Sequence, residues 1–209
     1  MSSNKSIPDA SVLQEASLLE IFDLNGQKVK FGSIFEKESV IAVFIRHFFC
    51  GNCQMYVEQL ATVKKENLAS ASAKIIVIGC GKWDAIKAYA ETTGFSGEIY
   101  VDPTRELYHK LGMTIGSVKG TPAGEERRSY LRGGFWTAVG QGLLKGPLSH
   151  PTLLGKQGNI TQLGGDFILG PGPKCSYASC MQNTADRKLQ WYILERTNSY
   201  AVQIPRSRS

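Results

Sequence analysis

Val40-Ile41-Ala42-Val43-Phe44-Ile45-Arg46-His47-Phe48-Phe49-Cys50-Gly51-Asn52-Cys53 is the stretch that decides the fold of this chain. Its first half is a long apolar run that ends in charged residues, the pattern of a strand buried on both faces. The residues that follow put Tyr56, Val57, Leu60 and Ala61 on one side of a helix. The two sulfurs therefore fall at a strand-to-helix junction. Unpaired backbone N–H groups and the positive end of the helix dipole point at that spot. Such a place favours thiolate over thiol, and thiolate is the reactive form. Two cysteines three apart can also close a small disulfide, so that one attacks and the other resolves.

The competing reading is half of a structural zinc site, which needs a second Cys/His pair at close spacing. The remaining candidates are Cys80, Cys175, Cys180, His47, His109 and His150. Cys175 and Cys180 match the spacing imperfectly and lie far along the chain. Thiol chemistry with no metal and no cofactor is the expectation.

Working outward, Leu18 to Phe31 has apolar arms around Asn25-Gly26, a strong hairpin signal. Lys74 to Cys80 is a β-branched run and reads as a second buried strand. Trp83 to Thr93 reads as a helix ended by Gly94. Glu98 to Val101 reads as a strand leading into Asp102-Pro103, an N-cap followed by proline at the first helical position. Gly112 stops that helix. The glycine-rich stretch from Gly112 to Gly165 breaks the alternation and carries one expected helix, Glu125 to Leu144. Asp166–Leu169 and Cys175–Ala178 flank Gly170-Pro171-Gly172-Pro173 as a final hairpin, and Thr184 to Glu195 reads as a closing helix.

The expected fold is therefore α/β, a central mixed sheet flanked by helices. It has an N-terminal hairpin and an inserted helical segment, about residues 113–163, before the last hairpin. Residues 1–17 read as an N-terminal arm, 18–196 as one domain and 197–209 as a tail. A chain of 209 residues with 42% hydrophobic content can bury a full core. The net charge of +6 comes without a dense basic stripe or a recognisable module, so nucleic-acid binding is not expected. Arg187, Lys188, Arg196, Arg206 and Arg208 read as charges decorating the C-terminal end. No stretch approaches the length of a membrane span. The first residues lack the apolar centre of a secretory signal, so a reducing, cytoplasmic setting is expected. Gly79-x-Gly81 lacks the third glycine of a dinucleotide fingerprint.

The chain resembles the peroxiredoxin-like proteins that carry an AhpC/TSA antioxidant enzyme domain, with a thioredoxin-like fold. Phe44 to Val57, Ile76 to Gly79, Ile99 to Gly112 and Gly164 to Gly172 carry the resemblance. It implies a thiol-dependent oxidoreductase in which Cys50 and Cys53 cycle between dithiol and disulfide while a peroxide or disulfide is reduced. A thiol reductant, glutathione or a thioredoxin-like protein, would restore the pair, and a homodimer stays open. Peroxiredoxins place Pro seven residues, and Thr or Ser three residues, ahead of the attacking cysteine. Counting from Cys53, those positions hold Arg46 and Cys50; counting from Cys50, they hold Val43 and His47. Neither register is satisfied. The alternatives are a small-molecule tailoring enzyme using the same cysteines, or a non-enzymatic binding scaffold.

Cys50 is the expected nucleophile and Cys53 the resolving thiol. Arg46 is expected near the sulfurs, lowering a thiol pKa and holding a hydroperoxide, or else paired with Asp102. His47 is expected to move a proton through its near-neutral titration, or to be a satisfied structural histidine. Trp83, Phe135 and Trp136 are candidates to wall or cover a substrate pocket, with core packing as the alternative for each. Cys80 reads as a packing residue at the sheet edge where ligands usually lie.

Overall fold

The strand that opens the deciding stretch, β3 (Ser39–Phe44), is buried at every position. Its alternation sends Ile41 and Val43, with Ile45 beyond its end, into one apolar cluster, and Val40, Ala42 and Phe44 into another on the opposite face. That is why the run shows no polar alternation. The computed structural model describes residues 7–119, Gly140, Leu144 and 151–187.

Around β3 the chain builds one seven-stranded sheet. An N-terminal helix, α1 (Ala10–Leu18), is capped by Asp9, whose side chain accepts the Val12 N–H. The hairpin β1 (Glu20–Phe22) and β2 (Lys28–Lys30) turns at Gly26, φ +74°. Then come α2 (Phe31–Ile34), β3, α3 (Gly51–Leu60), α4 (Lys65–Ser70), β4 (Ala73–Gly79), α5 (Ile86–Thr93), β5 (Glu98–Val101) and α6 (Glu106–Lys110). The strands β6 (Gly165–Leu169) and β7 (Cys175–Cys180) complete the sheet. The strand order is β2-β1-β5-β4-β3-β6-β7. β3 runs parallel to β4 and antiparallel to β6, so the sheet is mixed as expected.

One face buries Cys53, Tyr56, Val57 and Leu60 of α3 with Ile86 and Tyr89 of α5. The other buries residues of α1, α2 and α6 around Phe44, whose ring meets Tyr108 edge-on at 5.0 Å and Phe167 at 5.5 Å. A fully buried ring of this kind contributes about 1.5–3 kcal/mol. The Tyr108 hydroxyl lies 2.8 Å from both the Ile45 and Ile78 carbonyls, where β3 and β4 end beside the cysteines.

Most of α1 falls within the segment read as the N-terminal arm. Two expectations are corrected. Asp102 does not cap a helix starting at Pro103: α6 begins at Glu106, with Arg105 at φ +62° before it. The Asp102 carboxylate instead gathers Arg105 N–H, Leu107 N–H and the Thr104 hydroxyl at 2.6–2.9 Å. Residues 184–187 are not helical; they turn back against the sheet. The expected helix over 125–144, the rest of the closing helix and the tail lie outside the described residues, apart from Gly140 and Leu144.

Candidate thiol site

Cys50 is the N-cap of α3, with φ −78° and ψ 106°, and its Sγ accepts the Cys53 N–H at 3.4 Å. A sulfur here does what Ser or Asp does at other helix starts, satisfying one orphan donor. Cys53 lies in the first turn, and its Sγ accepts the Arg46 backbone N–H at 3.5 Å. Both thiols are free, and both are nearly sealed, with Cys50 4% and Cys53 1% exposed.

Arg46 is buried above them. Its Nη1 donates to Cys50 Sγ at 3.4 Å, and its Nη2 donates to the Ile160 carbonyl at 2.8 Å and the Ser117 carbonyl at 3.4 Å. The expected alternative, a pair with Asp102, is not formed; that carboxylate is occupied at the start of α6. Arg46 therefore joins the sulfurs to a strap, residues 156–162. The strap also receives the Phe48 N–H on the Gln157 carbonyl at 3.0 Å and the Lys82 N–H on the Lys156 carbonyl at 2.9 Å. Two glycines let it seat. A Cβ on Gly81 would lie 2.5 Å from the Lys156 carbonyl oxygen, and one on Gly158, φ +94°, would lie 2.7 Å from Cys80 Sγ. The Cys80 thiol donates to the Arg46 carbonyl at 2.9 Å, which agrees with a packing role.

The two thiols are electrostatically unequal. Cys50 is pushed well above the ordinary thiol range, first by its hydrogen bond to Cys53, then by burial and by the Cys53 charge. For Cys53, burial pushes upward. The Cys50 hydrogen bond, the Arg187 and Arg46 charges and the Arg46 N–H outweigh it, bringing the thiol to about 6. Hydrogen bonds and charges thus push the two thiols in opposite directions, Cys53 toward thiolate and Cys50 toward thiol. The sequence reading places the acidic thiol at Cys50, whereas the Arg46 N–H and the Arg187 charge act on Cys53.

The expected proton carrier also changes. Burial, then the neighbouring Arg46 charge, pull His47 down to about 3, so the imidazole is neutral across the physiological range. Its Nδ1 has no hydrogen-bond partner among the described residues. Trp83 does not wall the cysteines; its indole lies against Gly26 at the hairpin turn and is 45% exposed. Phe135 and Trp136 lie outside the described residues. The structure thus brings Cys50, Cys53 and Arg46 together.

Sequence reasoning missed two features. Arg187, read as surface charge, is buried and bears on Cys53; its only sequence signal is its position shortly after the last strand. The Ile160 and Ser117 carbonyls are backbone groups in a loop, and no residue type announces them.

The chain matches the sequence family described as AhpC/TSA antioxidant enzyme over residues 59–183, a stretch that begins just after Cys53. Mouse (Mus musculus) peroxiredoxin-like 2C is 37% identical over 175 residues, which is 81% of this chain and 73% of the mouse protein. The prostamide/prostaglandin F synthase of Xenopus tropicalis is 30% identical over 92 residues, 43% of this chain and 44% of that protein. Among solved structures, a cysteine-to-serine mutant of Xylella fastidiosa PrxQ superimposes with a TM-score of 0.55 at 9% identity, covering 95% of this chain and 94% of that one.

Proposed function

The chain belongs to the AhpC/TSA antioxidant enzyme family, and from that premise we propose that it is a thiol peroxidase in which Cys53 attacks and Cys50 resolves. What supports this reading is the unequal setting of the two thiols: the Arg46 N–H on Cys53 Sγ and the Arg187 charge push Cys53 toward thiolate, while its hydrogen bond to Cys53 and its burial push Cys50 toward thiol.

The Cys53 thiolate attacks the distal oxygen of a hydroperoxide, ROOH, and the O–O bond breaks. Cys53 becomes a sulfenic acid, and the alkoxide takes a proton to leave as ROH. The Cys50 sulfur then attacks Cys53, its proton leaves with the hydroxyl as water, and a Cys50–Cys53 disulfide forms. Two equivalents of a thiol, from glutathione or a thioredoxin-like protein in a cytoplasmic setting, return the disulfide to the dithiol. The neutral His47 takes no net charge through this cycle. With the sulfurs nearly sealed, the strap over Arg46 has to part before an oxidant as large as a hydroperoxide reaches Cys53.

One equivalent of hydrogen peroxide tests the reading. Of the five cysteines, two titratable thiols are lost and peptide mass places the disulfide between Cys50 and Cys53. An unchanged thiol count after prolonged exposure sinks the peroxidase assignment.

A second reading is a small-molecule tailoring enzyme. The partial likeness to a prostamide/prostaglandin F synthase and the unsatisfied peroxiredoxin register favour it. Redox cycling needs both sulfurs, so single Cys50→Ser and Cys53→Ser variants separate the two readings.

A further inference from the structure

Arg187 is 3% exposed, although it follows the last strand in a stretch that reads as surface. Its Nη1 donates to Asp166 Oδ1 at 2.7 Å and to the Gly165 carbonyl at 3.3 Å. Its Nη2 donates to the Phe44 carbonyl at 2.7 Å, and the guanidinium sits over the Tyr56 ring at 4.9 Å. These contacts share a location. Phe44 is the last residue of β3, two before the Arg46 N–H that serves Cys53. Tyr56 is three residues after Cys53 on α3, so the two are neighbours on the helix surface. The same returning segment takes a hydrogen bond from the middle of the cysteine motif, Asn52 Nδ2 to the Thr184 carbonyl at 3.1 Å. Residues 184–187 therefore grip both the strand end and the helix start that carry the sulfurs.

Asp166 opposes as well as holds. It is paired across the sheet with Val43, and burial raises its carboxyl while the Arg187 charge and the Tyr56 hydroxyl pull it back down. Taking two full charges out of water is costly, and a packed apolar pair is often no less stable. The feature a buried ion pair supplies that an apolar pair cannot is a fixed local field.

We propose that Arg187 is a positioning residue that acts across Tyr56 and the end of β3 to keep the negative charge on Cys53, and that Asp166 is the counter-charge limiting its strength. The proposal rests on the reading of Cys53 as the attacking sulfur. Other charged or titratable groups share this environment. Arg46, His47 and Cys50 come from the strand–helix junction, Glu58 from α3, Tyr89 from α5 and Tyr108 from α6. Asp186 acts from beside Arg187. Among these groups, Asp166 and Arg187 form the opposed pair whose members can be neutralised one at a time.

The test follows iodoacetamide labelling of Cys53 against pH, read by peptide mass, in the full chain. Arg187→Gln raises the labelling midpoint by about one pH unit, and Asp166→Asn lowers it, because the guanidinium then loses the Asp166 counter-charge. Arg187→Lys restores most of the shift. A purely structural pair predicts something different: both variants loosen the core, and labelling accelerates at every pH without opposed midpoints. Midpoints that stay put or move together overturn the proposal. If Arg187→Gln does not fold, Asp166→Asn decides alone, with a downward shift for the proposal and none against it. Peroxide consumption is scored separately. A chain that shows the opposed shifts yet consumes no peroxide refutes the peroxidase reading, not this assignment of Arg187.

Discussion

The first cysteine of the motif caps the helix on which the second one rides: the Cys53 N–H donates to Cys50 Sγ at 3.4 Å while Cys50 itself stays extended. One sulfur is thus tied to the backbone of the other, and the side chains share a proton in a buried space. Spacing alone makes the two look interchangeable. The cap distinguishes them.

The cap gives a first prediction. Labelling of wild-type protein against pH yields a Cys53 midpoint near 6, while Cys50 resists until well above the ordinary thiol range. Cys50→Ala removes the donor and raises the Cys53 midpoint by about one unit, whereas Cys50→Ser, which keeps a hydroxyl, holds it nearly in place. Equal midpoints for the two cysteines would falsify the asymmetry.

Arg46 carries a second. Its planar fork reaches Cys50 and the Ile160 carbonyl together, a geometry that a single ammonium cannot reproduce. Arg46→Lys keeps the charge but slows peroxide-driven loss of thiols about tenfold, equivalent to about 1.4 kcal/mol in the barrier. A rate equal to wild type in stopped-flow measurements shows that charge alone suffices.

A third concerns acid stability. The His47 pKa is depressed to about 3, so the unfolded chain takes up a proton below its ordinary value of 6.5 while the folded chain does not. The stability due to this group is therefore complete above pH 6.5 and lost as pH falls toward 3, at up to about 1.4 kcal/mol per pH unit. His47→Asn removes that limb. Urea midpoints recorded from about pH 7 to about pH 4 test it, and an unaltered slope in the variant argues against His47 as its source.

The Tyr108 hydroxyl supplies a fourth. It is the buried link between the ends of β3 and β4, and Tyr108→Phe leaves the Ile45 carbonyl without it, while the Ile78 carbonyl keeps the Ile45 N–H. The loss is about 1–3 kcal/mol, seen as a lower denaturant midpoint at constant slope.

Much of the scaffold was legible because its signals are local. The apolar run before Arg46, the Asn25-Gly26 turn and the β-branched stretch ending at Cys80 each fix an element by composition and period. Asp102 shows where local reading fails. The Asp-Pro signature is real, but the side chain gathers donors two to five residues on, which moves the helix start to Glu106. The site was half legible. Cys50, Cys53 and Arg46 are adjacent in sequence, so their meeting follows from one junction. Arg187 and the Ile160 carbonyl arrive from more than 100 residues away, through the order in which β6 and β7 join β3. Their arrival depends on long-range topology, which periodicity does not encode. The inequality of the two sulfurs draws on the local Cys50–Cys53 hydrogen bond and also on the distant Arg187 charge, and only the first lies within reach of a local reading.

The strap over the sulfurs is seated on bare backbone at Gly81 and Gly158, where a methyl group has no room. Tightness of closure is therefore adjustable by one carbon atom at a time, at positions that touch neither sulfur. An alanine wedge at Gly81 would prop the door without rewiring the lock. How readily the enclosed chemistry meets the outside world is thereby separable, by genetics, from how potent that chemistry is.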